Sequence, residues 1–513
     1  MLASCRTVIF EGVQPRVIEV QCRVTAGLPS LAIVGLPDKA VSEARERMRT
    51  ALAGLGVTLP SARVLINLSP ADLPKRGSHF DLPIALAALA ASGAFAPDAL
   101  DGVMAIGELA LDGRLVPVPG ALPAAIAAAA EGVQLLLPAE SAHEAAWAGD
   151  GLALPVPDLG AALAHLTGNA PIAPAPAGAP PPPGHQPDMA EIRGHATARR
   201  ALEVAAAGGH HLLLLGPPGI GKSMLAARLP SILPPPSPAE ALEAMMIHSL
   251  AGEDATAVLA ARPFRQPHHT ASPAAIVGGG RGAGPGEVAL AHGGVLFLDE
   301  LPEFAPSVLE TLRQPLETGR VTVARAEAHV TYPCRFQLVA AANPCRCGHL
   351  GDPDRACRRA PICSERYLGR ISGPLLDRID IRLDLPALSP AELAALPPGE
   401  PSAVVRERVR AARAAQAERW AEAPAGTTNA TAPPGLLQQA AALEPRAEAL
   451  LARAAEQFRL SPRGWDRAIR LARTIADLAG EASVGEDAMA EALFYRLAGR
   501  GAQSRAERAA LPP

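Results

Sequence analysis

Apolar residues fall into different rhythms along this chain. Up to about residue 168, short uniform apolar runs alternate with alanine-rich stretches: ARVLINLSP (62–70), FDLPIALAALAASG (80–93) and VQLLLP (133–138). Such runs read as buried strands and helices, so residues 1–168 are predicted to form a compact α/β domain. The rhythm then stops. APIAPAPAGAPPPPGHQP (170–187) holds too few large apolar side chains to pack a core, which makes 169–187 an extended linker. Alternation resumes from Asp188 to about Pro386, interrupted by prolines at 230–238 and by the glycine-rich VGGGRGAGPGE at 277–287. From 401 onward the pattern is almost wholly helical, with Trp465, Ile469, Leu471, Ile475 and Leu478 along one face. The organisation predicted is an α/β core with a parallel sheet (188–386), a helical lid (387–500) and a frayed tail (501–513).

Composition sharpens this picture. The chain has 513 residues, of which 49% are hydrophobic but only 3% aromatic, so its apolar mass is small side chains suited to helices. A formal net charge of −4 excludes a protein that coats nucleic acid through global basicity and leaves only local placement for a DNA contact. The absence of a run of about 18 uncharged apolar residues argues against a membrane span, and MLASCRTVIFEG lacks the form of a signal peptide. A cytoplasmic protein is the expectation.

The chemistry concentrates in the core. HLLLLGPPGIGKSML places a buried strand before Gly216-x-x-x-x-Gly221-Lys222-Ser223 and a helix start after it, the context of a phosphate loop. Gly216, Gly219 and Gly221 leave backbone N–H groups free to face phosphate oxygens at the positive end of that helix. Lys222 is read as supplying charge to the β and γ phosphates of ATP, and Ser223 can ligate Mg²⁺. Only three lysines occur (Lys39, Lys75 and Lys222) in a chain that otherwise uses arginine, which singles out a compact ammonium here. GGVLFLDELPEF then ends a buried strand on Asp299 and Glu300. Adjacent carboxylates in such a place are costly unless used. Asp299 is read as a partner of hydrated Mg²⁺ and Glu300 as the group that polarises the attacking water, against the plainer reading of an acidic helix start. FQLVAAANP ends a further strand on Asn343, whose amide can orient the same water. Arg378, between Asp377 and Asp380, and Arg463, at a helix start, are by themselves as consistent with surface ion pairs.

Taken in order, these features resemble the YifB/ComM family of magnesium-chelatase-like AAA+ ATPases, over nearly the whole chain. The phrases PFRQPHHTAS (263–272), GEVALAHGGVLFLDELPEF (286–304), LRQPLETGRVTVARA (312–326) and ISGPLLDRIDI (371–381) carry the resemblance. It implies Arg378 as an arginine finger reaching a neighbouring subunit's ATP, Arg463 as a lid sensor, and a homo-oligomeric ring, a hexamer. It also implies a helix-2 insert and a hairpin before the sensor strand, and ComM-like members are similar to DNA helicases that drive branch migration during natural transformation. The first domain resembles the Lon-protease fold, but His79 stands where the nucleophilic serine belongs and Leu122 where the activating lysine belongs. A non-proteolytic domain follows.

Two further features remain. GRVTVARAEAHVTYP alternates as a hairpin turning near Arg325, with its tip predicted to enter a ring pore and Arg325 to grip DNA phosphates. Residues 313–382 hold twelve arginines against seven acids, although a solvated charged surface explains that too. Cys345, Cys347, Cys357 and Cys363 crowd into nineteen residues without the usual C-x2-C spacing; Zn²⁺ ligation, with His349 as a substitute ligand, reduced thiols and a disulfide all stand open. No role follows for His268 and His269. At the level of function, a DNA motor leads, ahead of a chelatase-type ATPase that remodels a protein partner and of an ATP-dependent protease.

Overall fold

The computed structural model describes residues 2–498 except 58, 183, 185, 281, 282, 326, 327, 349, 351–356, 358, 387–391, 393–395 and 425; it also leaves the side chains of Arg325, Ala328 and Gln439 undescribed. The tail assigned to 501–513 and the substitute ligand His349 lie outside the described residues.

In the first α/β unit, strands β1 (Leu2–Glu11), β2 (Gln14–Thr25), β3 (Ser30–Val34), β4 (Arg63–Ser69), β5 (Val103–Ala105), β8 (Gln134–Pro138) and β9 (Ala153–Val156) form one sheet in the order β3-β4-β2-β1-β5-β8-β9. A two-residue ladder of β6 (Glu108–Leu109) and β7 (Leu115–Val116) stands apart. The β1–β2 pair closes through a tight turn with Gly12 at φ +66°, a backbone region that glycine enters without a Cβ clash. The helix Asp81–Ala91 is buried along its whole length, which explains why its sequence shows no polar face. The proline-rich segment that follows forms no helix or strand among its described residues, but Ala175 is buried and its N–H donates to the Ala153 carbonyl at 2.8 Å, tying the segment to β9.

The second sheet contains β10 (Leu212–Leu215), β11 (Phe264–Arg265), β14 (Val295–Leu298), β17 (Gln337–Ala342) and β18 (Ile381–Asp384), all parallel, in the order β11-β14-β17-β10-β18. Parallel strands buried on both faces read as continuous apolar runs, as LLLL and VLFL do. Between β11 and β14 lies a small ladder of β12 (Gly278–Gly279) and β13 (Gly284–Pro285). Between β14 and β17 lies an antiparallel hairpin of β15 (Arg320–Arg325) and β16 (Ala328–Pro333), paired from Arg320↔Pro333 to Arg325↔Ala328. Arg325 is therefore the last residue of its strand, and its side chain is outside the described ones.

From Ser402 to Leu497 the regular elements among the described residues are helices. The helix Pro462–Ala479 starts with Ser461 accepting from the Gly464 N–H and ends on Gly480 at φ +74°. Its apolar face (Ala468, Ile469, Leu471, Ile475) packs into one core with Leu212 and Leu214 of β10. Polar ties reinforce that joint. The buried His210 ring lies 3.2 Å from Asp380 and 2.8 Å from the Thr474 hydroxyl, and Arg467 pairs with Asp380 and donates to the Arg378 carbonyl at 2.9 Å. Burial opposes charge on Asp380, yet Arg467 and the histidines hold its carboxyl well below the usual carboxylate range.

Two seams join the α/β units. Leu122, in the helix Ala121–Ala130, is fully buried among Ala244 and Met245 of the helix Pro238–Ala251 and nearby Ala255 and Val258. The Gly120 N–H donates to the Ser249 carbonyl at 3.0 Å beside it. At the second seam the β1–β2 turn abuts the hairpin: a Cβ placed on Gly12 would lie 2.6 Å from the Thr331 carbonyl oxygen.

Candidate nucleotide site

Strands β10, β14 and β17 all deliver their carboxyl ends to one place, the edge where open parallel sheets bind ligands. β10 runs into the loop 216–221, in which Gly221 takes φ +92° and caps the helix Lys222–Ala226. The Lys222 ammonium is buried and donates to the carbonyls of Gly216 (2.7 Å) and Pro217 (2.9 Å) and to Asn343 Oδ1 (3.0 Å). Burial pushes it below its ordinary pKa, while the nearby Asp299 and Glu300 charges pull the other way. Ser223 Oγ donates to Asp299 Oδ2 at 2.7 Å. A hydroxyl and a carboxylate side by side at the first turn of a helix are hard oxygen donors of the kind Mg²⁺ accepts. Lys222, Ser223, Asp299 and Asn343, far apart in sequence, thus form one connected cluster.

Glu300 follows Asp299 with φ +51°, a left-handed conformation rare outside glycine, and its N–H donates to Asp299 Oδ1 at 2.9 Å. Its side chain is half exposed, with one oxygen 3.6 Å from His269 Nδ1. The His269 ring also contacts His268 (centroids 4.2 Å apart) and meets Phe304 edge-on. The family phrase PFRQPHHTAS therefore brings a histidine to the second acid of the strand end. Nothing in the sequence pattern revealed this, because 31 positions separate the two residues and no periodicity relates them.

The two arginines meet elsewhere. Arg378 is buried, pairs with Glu317 and donates to the Pro374 carbonyl at 2.7 Å; Arg463 is exposed and comes within 3.9 Å of the same Glu317. Neither bonds to Lys222, Ser223, Asp299, Glu300 or Asn343 among the described residues. Glu317 and Arg467 are further residues that the sequence did not single out; only the fold shows that they address Arg378. The four cysteines also converge, with sulfurs within 4.8 Å of one another directly after Asn343.

A parallel sheet in this order, with a phosphate loop leaving an inner strand, paired acids leaving its second neighbour and a helical lid behind, defines the AAA+ class of phosphate-loop proteins. Comparison with known proteins agrees. Residues 188–393 match the family described as magnesium chelatase, subunit ChlI; residues 20–141 match subunit ChlI of Mg-chelatase, and residues 399–496 match its C-terminal region. An uncharacterised protein of Mycobacterium tuberculosis (strain H37Rv) is 44% identical over 97% of this chain and 99% of its own length. The uncharacterised protein YifB of Escherichia coli K12 is 42% identical (94% and 95%), and the competence protein ComM of Haemophilus influenzae 41% identical (94% and 95%). The chain belongs to the YifB/ComM family of magnesium-chelatase-like AAA+ proteins.

Proposed function

We propose that this protein is an ATP-hydrolysing ring motor that acts on DNA, driving strand separation or branch migration in recombination or the uptake of transforming DNA. The observation that carries the reading is the path from nucleotide site to hairpin. Asn343, bonded to Lys222, directly follows the fully buried strand β17, and only three residues separate β17 from the hairpin β15–β16. A change at Lys222 therefore has a stiff route to the hairpin.

The roles follow from position. Lys222 and the loop 216–221 hold the phosphates of ATP. Ser223 and Asp299 would hold Mg²⁺, which when bound neutralises phosphate charge. Glu300 orients and polarises water, with His269 fixing its carboxylate and Asn343 aiding from β17. Arg378 reaches the ATP of the next subunit of a hexamer, Arg463 acts as the lid sensor, and Arg325 at the hairpin end meets DNA phosphates. The name ComM, a competence protein, supports the DNA reading. The first domain serves as a non-proteolytic scaffold of Lon-like origin: Leu122 fills a seam, and the His79 ring is buried with Nε2 on the Val8 carbonyl at 2.8 Å. A second reading, a chelatase-type ATPase acting on a protein partner, is favoured by the ChlI matches along the chain.

Purified protein should bind DNA with an affinity that falls linearly against salt on logarithmic axes, with a slope of about 0.9 per phosphate contact, and Arg325→Ala should lower that slope. ATP should drive migration of a four-way junction. Hydrolysis without DNA binding or junction movement would overturn the DNA assignment and leave the second reading.

A further inference from the structure

The chain leaving Asn343 turns back at once. The Gly348 N–H donates to the Cys345 carbonyl at 2.9 Å, and Ser364 Oγ donates to the Pro344 carbonyl at 2.6 Å. Cys357 lies on the returning segment, where its carbonyl accepts from the Ala360 N–H at 3.0 Å, and Cys363 sits in the helix Ile362–Leu368. No disulfide joins any of the four, and the Cys345 and Cys347 sulfurs are 3.2 Å apart, far beyond the ~2.05 Å of a disulfide. Four thiolates around one tetrahedral ion at about 2.3 Å would sit about 3.8 Å from one another. Sulfurs gathered within 4.8 Å match that size, whereas an iron–sulfur cluster spreads its ligands over separate iron atoms. Residues 349, 351–356 and 358 lie outside the described ones, and none is needed as a ligand.

The loop is also in contact with the nucleotide site. Gly348 has φ +81°, and a Cβ built on it would lie 2.6 Å from Pro218 Cδ, inside the phosphate loop. Only a bare glycine backbone fits against that proline. Cys345 is two residues from Asn343, the acceptor of the Lys222 ammonium.

We propose that Cys345, Cys347, Cys357 and Cys363 bind one structural Zn²⁺, and that the knuckle so closed braces the phosphate loop through Gly348 and Asn343, so that zinc occupancy sets nucleotide affinity. Four sulfur ligands leave the ion no open position, so its work is mechanical and not Lewis-acid chemistry. Each thiol that becomes a ligand releases its proton to solvent. The metal half stands on the cysteines alone; the nucleotide half rests on the phosphate-loop reading.

Protein purified without chelator should contain about one zinc per chain, and cobalt exchanged into it should give the intense visible bands of a tetrahedral thiolate site. Stripping zinc from the full chain should weaken binding of a fluorescent ADP analogue about tenfold, and returning zinc should restore it. Cys357→Ser should lose the metal, whereas Gly348→Ala should keep it and still weaken ADP binding several-fold. Metal-free wild type with no tetrahedral cobalt spectrum overturns the site. Zinc-loaded and stripped protein with equal ADP affinity, or a Gly348→Ala variant that binds ADP normally, overturns the brace. Wild type that carries zinc but binds no nucleotide would instead sink the phosphate-loop reading, a result the metal measurements tell apart.

Discussion

Lys222 donates to three oxygens of its own chain, whereas Glu300 presents a half-exposed carboxylate on a left-handed backbone. Their replacements should therefore fail in different ways. Lys222→Ala removes the only ammonium in the loop and should abolish ATP binding. Glu300→Gln keeps shape and hydrogen bonding but loses the charge proposed to polarise water, so binding should persist while turnover stalls. Nucleotide affinity measured beside single-turnover hydrolysis decides the matter: equal loss of binding in both variants would refute the division of labour. The residues of this site were legible in the sequence to different degrees. Gly216 to Ser223, Asp299, Glu300 and Asn343 each end an apolar strand run, so local pattern exposes them. His269 and Glu317 reach their partners only through loops and helices whose packing no periodicity encodes.

Elements here are held by histidines as well as by apolar runs. The His211 ring Nδ1, next to β10, accepts the Leu338 N–H of β17 at 3.0 Å, a bond that a protonated ring cannot accept. Burial pushes the pKa of His211 down to about 4, and burial does the same for His79 in the first unit. Unfolded, both rings titrate near the ordinary 6.5, so between that value and about 4 the unfolded chain binds protons the folded one refuses. Stability should thus be full above about pH 6.5 and decline as pH falls to about 4, by about 3 kcal/mol per ring at most. Melting temperatures across that window should fall with a slope that His211→Asn makes shallower; an unchanged slope would contradict the assignment. Strand and helix existence could be read from the sequence because parallel buried strands and amphipathic helices leave strong periodic signals. The seams could not. Leu122 reads as one more apolar position on an alanine-rich helix, and only the fold shows that its neighbours come from the helix Pro238–Ala251.

At the scale of the whole molecule, Arg378 pairs with Glu317 instead of reaching its own Lys222, which suits delivery to an adjoining subunit. Arg378→Ala alone should bind ATP and hydrolyse it slowly, an arginine finger being worth roughly 10³ to 10⁵ in rate. Mixed with Lys222→Ala subunits it should recover some turnover, since each supplies what the other lacks; no recovery at any ratio would argue that the arginine acts within its own chain. The proline-rich segment invites the picture of two bodies on a string. The buried contact of Leu122 with Met245 and the seating of Gly12 against Thr331 say otherwise. A protease site built into residues 176–182 and cut after purification should release nothing: both fragments should co-elute on a sizing column and melt together, whereas separate elution would show the string to be the only bond. The covalent thread and the packed contacts are thus different paths, and in the proposed motor a stroke at the helix Pro238–Ala251 or at the hairpin would reach the seven-stranded sheet even through a severed polypeptide.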